Sequence, residues 1–321
     1  PVLVGDRALE RGAGADVIAT AVGSAGVVAL GAPLARALAA RATSRPIDVW
    51  VVENADVAAQ LEDAVRQAAA RESLLLPPVG FAGAIAFAAV TQGDWKTSSR
   101  PEFLSDTSRW LLVDGKRLRL GVPRLDRVGA TACYDDHLRA KRYVFSAGHA
   151  LAAFLGHRHG HRFVHEAAAD PRVHVLVESA LLASARALHG DDSGRAAVAW
   201  ALERYGNAEL RDAVQRVARD PIRKLASDGP LVGPARLVVE ATGRAPYAFA
   251  AGIAAALAYR NPADAQSLLL AEMLAKRSPA MVLAEVCGLD EAHPLARAVL
   301  RTHGRWFDAA ARRTWPAQLA A

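Results

Sequence analysis

Lysine is scarce in this chain of 321 residues. Only Lys96, Lys116, Lys141, Lys224 and Lys276 occur, and arginine carries the rest of the basic charge. Cysteine is scarcer still: Cys133 and Cys287 lie far apart, and neither has a Cys or His at zinc spacing. That pattern fits a reduced cytosolic protein better than a disulfide framework. Apolar runs such as that at 246–257 are too short to span a bilayer, and no charged leader with a cleavage site opens the chain. Gly-x-Ser-x-Gly, P-loop and His-Glu-x-x-His motifs are absent, which removes three common hydrolytic chemistries. At 52% hydrophobic residues and a net charge of +6, disorder is excluded. The pI near 9.7 invites a nucleic-acid reading. The arginines are scattered, however, and no basic run interleaves with aromatics. The charge then reflects either an arginine-for-lysine composition bias or attraction of an anionic substrate or cofactor.

What is present divides in two. Residues 15–23 form a short apolar run closed by glycine, and residues 46–54 form another; both read as buried parallel strands. Between and after them, 24–42 and 56–71 read as helices, with Asp56 as an N-cap of the second. Residues 79–91 are strand-like again. Strand, helix, strand, helix, strand is half of a doubly wound α/β domain. Residues 94–134 read as a connecting segment with short strands. From Asp135 the pattern is helical, with helices predicted at 171–187, 194–205, 208–218, 248–259, 262–274, 279–286 and 295–311. The expected fold is therefore α/β plus all-α. Residues 1–95 form the remainder of a Rossmann-type parallel sheet domain and 96–321 a mostly helical substrate domain, with the boundary near 93–100.

Ligands of such sheets bind beyond the carboxyl ends of the strands, where residues 21–23 and Glu53-Asn54 fall. A complete dinucleotide domain also needs a Gly-x-Gly-x-x-Gly turn between its first strand and helix. Gly12-Ala-Gly14 precedes a strand instead of following one, and Val17 stands where the third glycine belongs. Either the first strand–helix–strand unit is missing from this sequence, or the chain is not a dinucleotide enzyme.

Four features could carry chemistry. Lys141 and His149 are eight residues apart, about two helical turns, on a similar face if the whole segment is helical. A lysine can be tuned to lose its proton, so Lys141 is a candidate general base. Asn54, at a strand end, could donate to a developing alkoxide, or simply close a turn. Arg216, Arg219, Arg223 and Lys224 place four cations in nine residues around Pro221, either as a phosphate or carboxylate pocket or as a solvated helix end. His157, His159, His161, His165 and Glu166 alternate around a glycine turn like metal ligands, but read better as a helix–helix connection.

Together these stretches resemble the polyol-specific long-chain dehydrogenases, in particular their mannitol-1-phosphate 5-dehydrogenase branch. The matching segments run in order: Thr20-Ala-Val-Gly23, Glu53-Asn54, Gly148-His149-Ala150, Arg216-Val-Ala-Arg-Asp-Pro-Ile-Arg-Lys224-Leu and Leu231-Val-Gly-Pro. The resemblance covers nearly the whole chain. It implies an N-terminal Rossmann domain and a helical domain with the site between them. It also implies metal-independent hydride transfer between NAD(H) and a sugar alcohol or its phosphate. By that resemblance Lys141 is the general base, Asn54 and Ser146 are oxyanion donors, and His149 positions the substrate oxygen. Arg216 and Lys224, with Arg219 and Arg223, bind the substrate chain or its phosphate, and Thr20, Val22 and Gly23 face the nicotinamide. Three departures alter the pocket. Ser146 stands where the family has Asn, Ala86-Phe87-Ala88 replaces Val-Asp-Arg, and Ser227-Asp228-Gly229-Pro230 loses an arginine. The alternative is a non-catalytic sugar-phosphate-binding homologue that has lost the nucleotide turn. The expected protein is cytoplasmic, a monomer or weak dimer, and binds neither nucleic acid nor membrane.

Overall fold

The computed structural model describes residues 14–88, 90–92, 103–106 and 110–311. Residues 1–13 and the expected boundary at 93–100 lie outside them. The chain divides into two compact units, Pro1–Val90 with Phe103–Arg139 and Thr91–Glu102 with Ala140–Ala321.

The first unit is built on a five-stranded sheet. Its apolar runs become β1 (Val17–Thr20), β2 (Ile47–Val52) and β3 (Val79–Phe87), which pair in parallel. Residues 47–51 of β2 are all buried, as expected of a strand covered on both faces. The covering helices are α1 (Gly31–Ala39), entered through a 3₁₀ turn at Val27–Leu30, and α2 (Ala58–Arg71). Leu34 and Leu38 of α1 and Leu61 and Val65 of α2 share one core with Val49 and Val51. The expected Asp56 cap does not form: the N-cap is Val57, without a side-chain bond. Two strands of the connecting segment extend the sheet. β4 (Trp110–Asp114) runs antiparallel to β3, and β5 (Val128–Thr131) parallel to β4. Asp48 is fully buried in β2 but satisfied, accepting from the Arg119 and Leu120 amides at 2.7 and 2.9 Å.

The second unit is helical. After α3 (Tyr134–Ala140) the chain winds through a π-helical segment, Lys141–Ser146, into α4 (Ala147–Arg158). Then follow α5 (Val164–Ala169), α6 (Pro171–His189), α7 (Arg195–Tyr205), α8 (Val214–Val217), α9 (Pro221–Leu225) and α10 (Val232–Thr242). The last four are α11 (Tyr247–Ala258), α12 (Ala265–Lys276), α13 (Pro279–Cys287) and α14 (Pro294–Ala311). Local chemistry sets several boundaries. α6 starts on an Asp170 cap followed by Pro171 and stops at Gly190 in the left-handed conformation. α11 is the core helix. Residues 248–257 are all buried, and it packs on α4, α6 and α14. A methyl group on Gly252 would lie 2.1 Å from Leu151 Cδ2, so a side chain there would force Leu151 to shift.

Two helical expectations change. The helix expected at 208–218 breaks into a 3₁₀ turn, Ala208–Leu210, and the single turn of α8, because Arg211 adopts the left-handed conformation (φ 45°). α10 forms where no helix is expected, with Gly233 and Pro234 near its start. Both sit in its first turn, where proline forfeits no helical hydrogen bond. No helix among the described residues is long and apolar enough to cross a membrane.

Candidate active site

In the helical unit, the histidine expected at the site has a partner that lies 63 residues downstream. His149 Nε2 lies 2.9 Å from Asp212 Oδ2. Asp212 is only 5% exposed, and its other oxygen accepts from Arg216 Nε at 2.7 Å and Nη2 at 2.6 Å. Burial raises the Asp212 pKa, but the bonds from His149 and Arg216 outweigh it and hold the carboxyl below its ordinary value. An ionised Asp212 accepts from Nε2–H, so a neutral His149 keeps its lone pair on Nδ1. The imidazole is also stacked on Tyr205, with ring centroids 5.4 Å apart and planes 8° from parallel.

Asp212 follows the left-handed Arg211, and a short bridge pins its strand-like segment. Val164 N donates to Asp212 O and Val214 N to Arg162 O, both at 2.9 Å. A non-glycine residue in this conformation is a local cost, of the kind that clusters at functional sites. Asp212 escaped the sequence reading because the pattern at 208–218 looked like plain amphipathic helix. The one local signal was its position four residues before Arg216.

Lys141 opens the π segment and is half-buried. Burial, and then the nearby Arg204 guanidinium, lower its pKa from 10.5 to about 8. Ser146 closes the same segment, and its hydroxyl does not cap α4. Lys224 in α9 is 8% exposed and donates to Arg219 O. Burial and then Arg223 lower its pKa to about 7. Asp220 before it is left-handed (φ 55°), and its amide donates to the buried carboxylate of Asp264 at 2.9 Å. Arg219 and Arg223 are exposed. Arg219 Nε reaches Arg216 O at 3.3 Å, and Arg223 Nη2 lies 3.8 Å from Asp220 Oδ2. Arg216 thus joins His149 through Asp212, while Lys224 belongs to the next turn, with partners of its own. The departure at 227–230 has a structural role: Asp228 pairs with Arg142 of the π segment at 2.8 Å.

The histidine run disperses. His161 bonds Asp170 at 2.9 Å, His157 packs edge-on against Tyr259, and His165 stacks on Phe163. Glu166 accepts from the Arg162 and Phe163 amides. Among the described residues, no group of three or more His, Cys, Asp or Glu could hold a metal ion.

In the sheet unit, the turn after β1 is clamped by Glu53. Its Oε1 accepts from Val22 N at 2.8 Å and Gly23 N at 2.9 Å. Gly23 has φ +87° with open space beside it, and Val22 is 51% exposed. The Thr20 hydroxyl is buried without a hydrogen-bond partner. Asn54, next to Glu53, is exposed. The exposed Val22 and the open space beside Gly23 leave room at this strand end that could hold a flat aromatic ring such as a nicotinamide.

Residues 136–303 match the mannitol dehydrogenase C-terminal domain family. The chain is 31% identical over 300 residues to mannitol-1-phosphate 5-dehydrogenase of Bacillus licheniformis, across 89% of this chain and 77% of that protein. It is 30% identical over 310 residues to the Geobacillus thermodenitrificans protein of the same name, across 92% and 78%. Among solved structures, it resembles Pseudomonas fluorescens mannitol 2-dehydrogenase in a ternary complex with NAD and D-mannitol. That match has a TM-score of 0.68 at 15% identity and covers 96% of this chain and 76% of the other. Substrate-free D-sorbitol dehydrogenase gives 0.70 at 13%, over 95% and 76%. Such identities bear on the fold alone. The match at 136–303 takes in the whole Lys141–Lys224 constellation, and the sequence likeness continues through the sheet unit: this chain belongs to the mannitol dehydrogenase family.

Proposed function

We propose that the protein is an NAD-dependent, metal-independent dehydrogenase. It moves hydride between NAD(H) and a sugar alcohol or sugar-alcohol phosphate, of the mannitol 1-phosphate/fructose 6-phosphate type. The observation that carries this reading is Lys141. It is a half-buried lysine with its pKa lowered to about 8, in the segment that leads into the His149–Asp212 pair. The reading makes the sheet unit dinucleotide-binding and the helical unit the substrate domain. The same reading keeps the protein in the cytoplasm as a monomer or weak dimer.

In polyol oxidation Lys141 takes the hydroxyl proton. Unprotonated above about pH 8, it is matched to that task near neutrality. His149, oriented by Asp212 through Nε2, positions the substrate by accepting at Nδ1 from a neighbouring substrate hydroxyl. Arg216 keeps guanidinium N–H groups beyond the two that Asp212 accepts, and these hold substrate oxygens. Lys224, with Arg219 and Arg223, holds the far end of the substrate or its phosphate. Asn54 and Ser146 are assigned as donors to the developing alkoxide. Thr20, Val22 and Gly23 would hold the nicotinamide half of NAD, which when bound supplies the hydride acceptor. The relatives reported above carry dehydrogenase names, and none supports the non-catalytic alternative.

The test follows NADH oxidation by the full-length native protein with fructose 6-phosphate and, separately, with fructose. Turnover with the phosphate alone supports a phosphate pocket at Arg216–Lys224. Turnover with neither, despite NADH binding, would reject this substrate class and point to the Ser146 and Phe87 changes. Lys141→Ala should lose about 10²–10⁴-fold in kcat with the fold intact. Full activity in that variant removes Lys141 as the base. Absence of NADH binding returns the non-catalytic reading.

A further inference from the structure

A plain α-helix from Lys141 to His149 would not put the two side chains on one line. Eight steps of about 100° leave them roughly 80° apart around the axis. The segment is not plain α-helix. Residues Lys141–Ser146 are π-helical, and Ala147 N–H reaches Arg142 O, five residues back. A π bulge absorbs about one extra residue, so about seven steps remain and the two positions come within roughly 20° of each other.

π turns carry poorer internal hydrogen bonding than α turns, and they persist where neighbours supply partners. Two neighbouring helices do so here. Ser184 Oγ, fully buried in α6, donates to Tyr143 O at 2.7 Å. Tyr205 OH, at the end of α7, donates to Phe145 O at 2.6 Å. The Tyr143 carbonyl is the one that Ala147 N–H would take in an α-helix. The Tyr205 ring stacks on His149, so one side chain touches the end of the π segment and the first turn of α4. Arg142, inside the segment, is tied to Asp228 O and Oδ2.

We infer that Tyr205 and Ser184 are positioning residues for Lys141: their hydroxyls hold the π turn that brings the lysine onto the helix line of His149. This rests on the reading of Lys141 as the base, and the experiment separates the two. Tyr205→Phe removes the hydroxyl and keeps the ring over His149. Ser184→Ala removes the other donor, and Ser184→Thr restores it. In the full-length protein, Tyr205→Phe and Ser184→Ala should each lower kcat on the order of tenfold while KM for fructose 6-phosphate stays within about twofold. The pH midpoint of polyol oxidation should rise, as a displaced Lys141 returns toward an exposed lysine. Ser184→Thr should recover both quantities. Hydrogen exchange at amides 141–149 should speed up in the two losing variants, a readout independent of the reaction. Folded variants with wild-type kcat, pH midpoint and exchange overturn the proposal. If Tyr205→Phe does not fold, the Ser184 pair decides it. Full activity in Lys141→Ala sinks the base reading, while the exchange data still judge the π turn.

Discussion

At the scale of single residues, the site rests on charges whose surroundings, more than their identity, decide what they do. Asp212 is nearly buried yet ionised, because His149 and Arg216 both bond it. Asp212→Asn keeps the shape but leaves the amide free to present N–H to Nε2, which favours the wrong imidazole tautomer. The expected result is a fall in kcat of about 10² or more with melting temperature little changed. A variant with normal kcat would show that the tautomer is irrelevant. Lys224 gives a second test. Its pKa near 7 means that it loses charge as pH rises above neutrality. KM for a phosphorylated substrate should therefore increase between pH 7 and 9, and Lys224→Arg should abolish most of that increase. A pH-independent KM in the native protein would take Lys224 out of the phosphate site.

At the scale of elements, close helix contacts and special backbone positions govern the geometry. At the α11–α4 contact, a side chain at 252 would force Leu151 to shift. Gly252→Ala should destabilise the protein by about 1–3 kcal/mol through overpacking against Leu151, read as a shift in urea midpoint at unchanged slope. An unshifted midpoint would mean that Leu151 has room to move. This level also marks where sequence patterns stop being informative. The apolar runs of β1, β2 and β3 were readable because strands buried on both faces need continuous apolar side chains. The starts of α6 and α13, expected at 171 and 279, were readable because a proline at the first helical position acts locally. The break at Arg211 and the π segment at Lys141 were not. Nothing in either stretch forbids an α-helix locally, and the partners that favour the alternative, Val164 for one and Ser184 and Tyr205 for the other, are distant in sequence.

At the scale of the whole molecule, the two depressed lysines set a pH dependence of stability. Lys141 and Lys224 titrate near 8 and 7 in the folded protein and at their ordinary 10.5 when unfolded. Within that window the unfolded chain holds protons that the folded chain has shed, so stability rises with pH. Cys287 opposes this from about pH 9, since its buried thiol is pushed up to about 12 and only the unfolded chain ionises. Tm should therefore rise between pH 7 and 9, and Lys224→Met should flatten the rise. His303, lowered to about 4 by burial and then Arg260, acts at the other end: stability should fall as pH drops from 6.5 toward 4. Thermal melts across pH 4–9 check both slopes, and a flat profile would contradict the burial of these groups.

By itself the sequence determined the class of each half and the family, and it singled out Lys141, His149, Arg216 and Lys224 as candidate site residues from spacing and resemblance. These depend on local pattern, on burial periodicity and on short motifs. Only the tertiary structure decided that Asp212 orients His149, that Glu53 clamps the turn at Val22–Gly23, and that the chain at Lys141 winds as a π-helix. It also moved Trp110–Asp114 and Val128–Thr131 from a connecting segment into the sheet. Each of these is a hydrogen bond between groups separated by many residues. Such a bond forms when the core brings the partners together, and the local pattern carries no trace of it.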